Sequence, residues 1–524
     1  MKTDSGETIP IWTAASELPA RGPLQGDAQA DVCVVGAGIS GLSTAYHLVR
    51  SGLSVIVLDD GPIGGGETGR TTAHLSNALD DRYYELERLF GEDGAQRAAR
   101  SHTAAIDRIE AIVTEERIDC GFERLDGYLF APPGGEVEEL DRELNAARRA
   151  GLIGVERLDR TPLPSFDTGP CLRFPRQAQF NPIPYLEGLA RAVERSGSRI
   201  FTHTPAVRIE GGCSARVTTA HGPVVTAGAV VAATNAPILD ELISDIIQAA
   251  YRTYAIGARV KAGAVPKALY WDTLDSYHYV RLTAAPDGKG EVLIVGGEDH
   301  RTGQEDDGEV RFHNLEEWTR VRFPIQEVEF RWSGQVLEPA DSLAFIGRAP
   351  TSAANLYMAT GDSGHGMTHG TIAGLLLTDL ILGRENEWEG LYSPSRLRYA
   401  GTRDFYRENA NILSQYTDWL TPGEVNSVVD IPPGEGAIVR SGLVKYAVYH
   451  DESGQLHERS AVCPHLGCIV RWNSTEKTWD CPCHGSRYDT QGRVLNGPAK
   501  EGLAEGEPLR GGATVSVPVN RGLA

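Results

Sequence analysis

The hexapeptide Gly36-Ala37-Gly38-Ile39-Ser40-Gly41 constrains this chain more than any other stretch, because of what flanks it. A short apolar run at 31–35 leads into it. A helical stretch, 42–51, leads out, and a second apolar run, 54–58, ends at Asp59. A lone G-x-G-x-x-G is weak evidence, but a strand, glycine turn, helix and second strand in order make a dinucleotide-binding turn. Gly36 permits the tight turn, Gly38 lets backbone approach a pyrophosphate, and Gly41 lets the helix pack on the strand. Phosphates then meet the positive end of the helix, at Ile39 and Ser40. Asp59, 18 residues after Gly41, is placed to accept hydrogen bonds from a ribose, with Asp60 as the alternative.

A chain of 524 residues has room for about three domains of roughly 150 residues, or two large ones. Its 41% hydrophobic and 23% charged residues exclude a disordered chain or a collagen-like repeat. The net charge of −21 argues against nucleic-acid or anionic-membrane binding through overall charge. There is no apolar run of about 18 residues, so no membrane-spanning helix is expected, and 371–383, which includes Asp379, reads as a packed helix. The first residues lack the features of a signal peptide, so the default compartment is the cytoplasm. Cys33, Cys120, Cys171 and Cys213 are scattered and read as buried small hydrophobes, whereas Cys463, Cys468, Cys481 and Cys483 crowd together, as metal ligands do.

Organisation follows from periodicity. Residues 1–30 read as an arm over the surface. Helices are expected at 83–117, 136–150, 184–195 and 371–382, with further helix within 386–415. Residues 199–345 are rich in short β-like runs, at 224–233, 277–282, 291–295 and 327–332, and another strand is expected at 356–359. A linker at 416–429 precedes a stretch, 430–524, rich in Gly, Pro and short strands.

The loop Gly64-Gly65-Gly66-Glu67-Thr68-Gly69-Arg70-Thr71-Thr72-Ala73-His74 and the loop Gly361-Asp362-Ser363-Gly364-His365-Gly366-Met367 extend the pattern. So do Val230–Asn235 and the segment from Trp332-Ser333-Gly334 through Asp341 to Gly347. From about 30 to 385 the chain resembles the D-amino-acid-oxidase or glycine-oxidase-like family of FAD enzymes. That resemblance implies a flavin beside Gly361, Gly364, Gly366 and Met367, and contact with the adenine end near Val207. Arg70, Thr71, Thr72 and Asn235 would line the cofactor. His74 matches a region where some relatives attach FAD covalently, a wall residue being the alternative. Asp362 stands where the family commonly has an aromatic residue.

Cys463-Pro464-His465-Leu466-Gly467-Cys468 and Cys481-Pro482-Cys483-His484-Gly485-Ser486-Arg487-Tyr488 are two loops that each offer thiolate and imidazole. They resemble the Rieske pattern, in which two Cys hold one iron of a [2Fe-2S] cluster and two His the other. The match implies Cys463 and Cys481 on one iron, and His465 and His484 on the other. It also implies a Cys468–Cys483 disulfide, Ser486 and Tyr488 bonding the cluster sulfurs, and a covering loop at 497–499. A Cys/His zinc site is the competing reading, against which the extra Cys pair and the His-Gly-Ser-x-Tyr tail argue. Asp362, His365 and His369 superficially offer the ligands of a mononuclear iron, but they sit in the loop assigned to flavin.

The expected architecture is a Rossmann-like, glutathione-reductase-type α/β FAD-binding domain (near 31–80, 155–240 and 335–385). It is interleaved with a mixed α+β substrate domain (near 81–154 and 241–334), and both are followed by an all-β Rieske domain. Together they read as a two-to-one electron converter. A small amine or amino acid would be oxidised at FAD, and electrons would leave singly through the cluster to an acceptor protein or quinone. Inward flow from a donor protein and a redox-sensing module stay as alternatives. Candidate catalytic residues are His74, His365, Tyr279 and Arg281. The last two share one face of a strand, and Arg281 could clamp a carboxylate. Tyr251, Tyr254 and Trp332 are lesser candidates.

Overall fold

The computed structural model describes residues 5–14, 18–133, 135, 137–239, 248–351, 353–396, 410–412 and 414–505. Of the helix expected within 386–415, Glu389–Tyr392 is seen, and residues 397–409 lie outside the described residues.

The glycine turn sits in an eight-stranded sheet. Strand Ala28–Val35 pairs in parallel with Val55–Leu58 on one side and with Val224–Ala232 on the other. Arg199–Phe201 and Leu356–Thr360 extend the sheet, also in parallel, and Phe345–Arg348 closes that edge antiparallel. The central strands are almost continuously apolar, as strands covered on both faces must be. Helix Ile39–Arg50 packs against helix Gly366–Ile381 with almost no gap. A Cβ on Gly374 would lie 2.8 Å from the Ser43 backbone, and one on Gly370 would lie 2.6 Å from Ile39 Cγ2. Small residues there bring the second glycine loop beside the first.

A nine-stranded mixed sheet stands next to it. Its order is Val328–Pro339, Gln248–Val260, Glu291–Arg301, His278–Ala284, Leu269–Asp272, Glu123–Phe130, Cys171–Gln179 and His74–Leu75, with Glu156–Leu158 beside Cys171–Gln179. Glu156–Leu158 and Cys171–Gln179 therefore join the sheet of the expected substrate domain, although they fall in a segment assigned to the cofactor domain. The β-rich reading of 199–345 also missed the helix Gly308–Arg322. That helix buries little beyond Phe312, Leu315 and Thr319, so its apolar stripe is too thin to register as a period.

The C-terminal part has a three-stranded sheet (Glu435–Ser441, Val444–His450, Leu456–Ser460) and a four-stranded one (Arg471–Asn473, Thr478–Asp480, Arg487–Tyr488, Val494–Asn496). The 416–429 segment is no loose tether. Its 3-10 turn Tyr416–Leu420 lies on the first cysteine loop, with Tyr416 Oη donating to Leu466 O at 2.7 Å and Trp419 Nε1 to Gly467 O at 3.0 Å. The expected N-terminal arm is anchored at its described residues 5–14, while most of 19–27 is exposed or half-buried. Ile11 and Trp12 are buried, Trp12 Nε1 donates to Thr71 O at 2.6 Å, and Thr8 Oγ1 bonds Glu476 Oε1 at 2.5 Å. Cys33, Cys120 and Cys171 are buried as expected, whereas Cys213, in a turn between two strands, is exposed.

Candidate active site and cluster site

A cavity of about 860 Å³ opens between the two large sheets. Gly36, Gly38, Ile39, Ser40 and Asp59 contribute to its wall, with Thr71, Thr72, Val207, Asn235, Gly361, Gly364, Gly366 and Met367. The glycines are there for backbone proximity. Gly36 has φ +110°, and a Cβ on it would lie 2.2 Å from Ala233 O. Gly41 stays out of the wall and packs on Gly36. Asp59 Oδ2 accepts the Ala37 N–H at 2.5 Å and Oδ1 the Gly61 N–H at 2.9 Å, which holds this carboxylate at the strand end. Asn235 Nδ2 is a buried donor with no partner within the protein. A long, glycine-walled cavity with such a carboxylate and a spare donor fits a dinucleotide. His221 also lines it, as do Asp489, Arg493, Asn496 and Lys500 of the C-terminal part. No sequence pattern ties those residues to the glycine turn.

Arg70 departs from its expected role. It touches the cavity wall, yet its guanidinium turns toward the C-terminal part. There Nη1 donates to Ser333 O at 2.7 Å and meets Glu476 Oε1 at 3.2 Å, and Nη2 donates to Thr8 O at 2.9 Å. Arg281 departs too. It does not line the cavity; its Nη1 donates to the carbonyls of Thr72, Ala73 and Phe180, and the group lies over the Trp12 ring at 5.3 Å. With Nη1 held by three backbone carbonyls and the side chain outside the cavity wall, Arg281 is not placed to clamp a carboxylate there. Tyr254 is core, with its hydroxyl on His300 Nε2, and Tyr251 carries Arg301 on its ring. Trp332 lines the cavity and donates from Nε1 to Arg70 O at 2.8 Å.

His74, Tyr279 and His365 do reach the cavity. The His74 ring lies edge-on to Tyr279, with centroids 5.7 Å apart, and Tyr277 stands 5.7 Å from Tyr279. Tyr279 Oη shares a 2.7 Å hydrogen bond with Thr253 Oγ1. Asp80 adds a carboxylate, with Oδ2 at 3.6 Å from His365 Nε2, and its backbone N–H donates to that nitrogen at 3.0 Å. Asp299 lies nearby, and the Asp80 charge adds to burial in raising its carboxyl. Deep placement pushes the imidazoles down, His74 to about 3 and His365 to about 4, so both are neutral at pH 7. The same burial pushes the carboxyls up, Asp80 to about 6, and Asp299 and Asp362 to about 7. Sequence reasoning missed Asp80 and Asp299, which carry no motif.

In the C-terminal part the two cysteine loops face one another. Cys468 and Cys483 form a disulfide, with Cα atoms 6.5 Å apart. Cys463 and Cys481 remain buried free thiols. The imidazoles of His465 and His484 stand edge to face at 4.9 Å, and the Nδ1 atom of each is buried without a hydrogen-bond partner. Two thiols and two unclaimed imidazole nitrogens fit a two-iron cluster. Tyr488 Oη lies 3.0 Å from Cys463 Sγ, and Ser486 Oγ accepts the Ala499 N–H at 3.0 Å.

Comparison with known proteins finds the same two parts. The family model for FAD dependent oxidoreductases matches residues 31–380, and that for the Rieske [2Fe-2S] domain matches 421–507. The chain is 31% identical over 505 residues to the Rieske 2Fe-2S iron-sulfur protein YhfW of Bacillus subtilis, covering 94% of this chain and 96% of that one. It is 27% identical over 388 residues to the gamma-glutamylputrescine oxidoreductase of Escherichia coli, covering 71% and 88%. Among solved structures, glycine oxidase from Geobacillus kaustophilus matches with a TM-score of 0.58 at 19% identity, over 70% of this chain and 99% of that one. L-amino acid deaminase from Proteus vulgaris, in a form with its specific insertion sequence deleted, matches with a TM-score of 0.59 at 19% identity, over 75% and 100%. Among the described residues no helix is long and apolar enough to cross a membrane. The chain belongs to the FAD dependent oxidoreductase family, with FAD as its cofactor, and carries behind that fold a Rieske domain for a [2Fe-2S] cluster.

Proposed function

We propose that the protein oxidises a small cationic amine, rather than an amino acid, and passes the electrons singly through the Rieske centre to an external one-electron acceptor, acting as a dehydrogenase. When bound, FAD supplies the two-electron acceptor for a C–H bond next to nitrogen, and the cluster supplies one-electron storage. The observation that carries the choice of substrate is the company kept by Asp80. Carboxylates and tyrosine rings attract an ammonium group, and Arg281, the sequence candidate for holding a carboxylate, is bound to backbone carbonyls instead.

Each side chain then has a part. Tyr277 and Tyr279 offer faces to the substrate's carbon chain, and the Thr253 hydroxyl fixes Tyr279. Asp80 holds the ammonium and takes the proton that must leave nitrogen before oxidation, since its carboxyl titrates at about 6. His365 accepts the Asp80 N–H at Nε2, which orients that residue, and it adds no charge of its own. The C-terminal segment around Asn496 forms part of the cavity wall, where it would shield a bound cofactor from water.

The test is anaerobic mixing of the holoprotein with a panel of amines and amino acids, following flavin bleaching and then the EPR signal of the reduced cluster. Amines that bleach the flavin and bring up the Rieske signal support the reading. Reduction by amino acids alone overturns the choice of substrate. If only a reduced ferredoxin fills the cluster and then the flavin, electron flow runs inward.

A further inference from the structure

We infer that Gln335 is the positioning residue that joins the cofactor cavity to the cluster loops, so that electrons cross between them through it while the Rieske domain stays in its seat. This rests on the proposed exchange of electrons between the two cofactors, but not on the identity of the substrate.

Gln335 is buried on strand Val328–Pro339 and lines the cofactor cavity. Three hydrogen bonds fix it. Its backbone N–H donates to Glu67 Oε2 at 2.7 Å, Thr302 Oγ1 donates to its Oε1 at 3.3 Å, and its Nε2 donates to Gly485 O at 3.0 Å. Gly485 follows the ligand candidate His484, and its own N–H donates to Cys481 O at 3.0 Å. Gln335 therefore lines the cavity, and its amide bonds the backbone carbonyl of the residue that follows an expected cluster ligand. Gly485 makes that approach possible: a Cβ there would lie 2.3 Å from Ala250 Cβ and 3.0 Å from Gln335 Nε2.

The seat itself is built to stay closed. Glu476 of the C-terminal part is paired with Arg70 and Arg252, with all three side chains shielded from solvent. Asn496 Nδ2 donates to Glu67 Oε1 at 3.0 Å, and Gln304 Nε2 to Pro482 O at 3.3 Å. Opening it would break both ion pairs and these hydrogen bonds together. Each transfer moves one electron from the reduced cofactor in the cavity to the oxidised cluster. No bond forms or breaks at Gln335. The second electron follows once an external one-electron acceptor, a protein or a quinone, has emptied the cluster. The competing connection runs through the Ala499 N–H to Ser486 Oγ, since Ala499 also lines the cavity.

The experiment uses the full holoprotein with its flavin photoreduced in the absence of any amine, so failure of the amine reading leaves it intact. Cluster filling is timed by absorbance and freeze-quench EPR in wild type, Gln335→Met and Gln335→Leu, and the midpoint potentials of both centres are titrated. The expected result is a several-fold slower filling in both variants with unchanged potentials. In wild type the rate stays the same when sucrose raises the viscosity. An unchanged rate in the variants favours the Ala499 connection and overturns the inference. A slower rate explained by shifted potentials overturns it as well. A wild-type rate that falls with viscosity shows a moving domain, and overturns it even where neither variant folds.

Discussion

Glu476 Oε1 and Arg70 Nη1 lie 3.2 Å apart across the boundary between the two cofactor-bearing parts, and neither side chain is open to solvent. Arg252 Nη2 approaches the same oxygen at 3.0 Å. Removing the carboxylate leaves two guanidinium groups facing each other in the interior. The Glu476→Gln variant is expected to lose about 3–5 kcal/mol, the usual result of breaking a buried pair. Calorimetry of wild type and variant measures it.

The same residue sets an acid limit. Burial opposes ionisation of Glu476, but Arg70, Arg252 and Arg487 outweigh it and hold its carboxyl down to about 2, below the ordinary 4.5. A depressed carboxyl adds stability that is complete above its unfolded value and is lost as pH falls toward the folded one. Wild type should therefore lose stability between pH 4.5 and 2 faster than Glu476→Gln does. Acid denaturation of the two, monitored in parallel, checks this.

Asp80 gives a stability cost and an activity gain together. With its carboxyl raised to about 6 by burial, it is neutral below that pH and charged above. The kcat/KM for a cationic amine should rise as pH increases through 6. Asp80→Asn should lower kcat/KM by roughly tenfold or more, as loss of a hydrogen bond to a charged group does. A raised carboxyl works the other way on folding: the folded state binds the proton more tightly, so stability falls as pH rises from about 3.8 to 6. Above pH 6 the Asp80→Asn protein should melt at a higher temperature than wild type while turning over more slowly.

Arg281→Met tests the role of that guanidinium. It strips a donor from the carbonyls of Thr72, Ala73 and Phe180. A loss of about 1–3 kcal/mol is expected for buried acceptors left unpaired. The ratio of amine to amino-acid turnover should stay where it was, which steady-state kinetics on both substrate classes will show.

Gly485→Ala should unseat the second cysteine loop, because φ there is +74° and the new methyl would meet Ala250. Adding Ala250→Gly removes the clash but not the left-handed backbone, which costs about 1–2 kcal/mol for a residue with a Cβ. The double variant should recover part of the lost melting temperature and part of the native cluster EPR line shape.

The glycine turn and the four cluster ligand candidates were legible in the sequence because their chemistry needs fixed residue types at short spacing. Asp59, 18 residues from Gly41, still falls within one βαβ unit. Glu476 was not legible. Between Thr475 and Lys477 it reads as a solvated turn charge, and the two arginines it meets lie hundreds of residues earlier. Arg70 shows the opposite error. Its place in the glycine- and threonine-rich loop was visible, but a side chain that long can turn away from the cavity its residue lines. Arg281 shared a strand with Tyr279, as the alternation implied, yet neighbouring carbonyls claimed it. Asp80 and Asp299 gain meaning only when the fold brings them to Tyr277.

Glu476 also decides how exchangeable the parts are. A flavin fold ending at residue 380 would have Arg70 and Arg252 in place and no Glu476 to meet them. During synthesis that carboxylate emerges after both arginines, so the flavin half reaches its final charge balance only when the iron–sulfur half docks. A Rieske domain grafted in its place would have to bring this counter-charge as well as the cysteines and histidines for a cluster. Neither part can therefore be removed without leaving the other's half of this buried charge network unmatched.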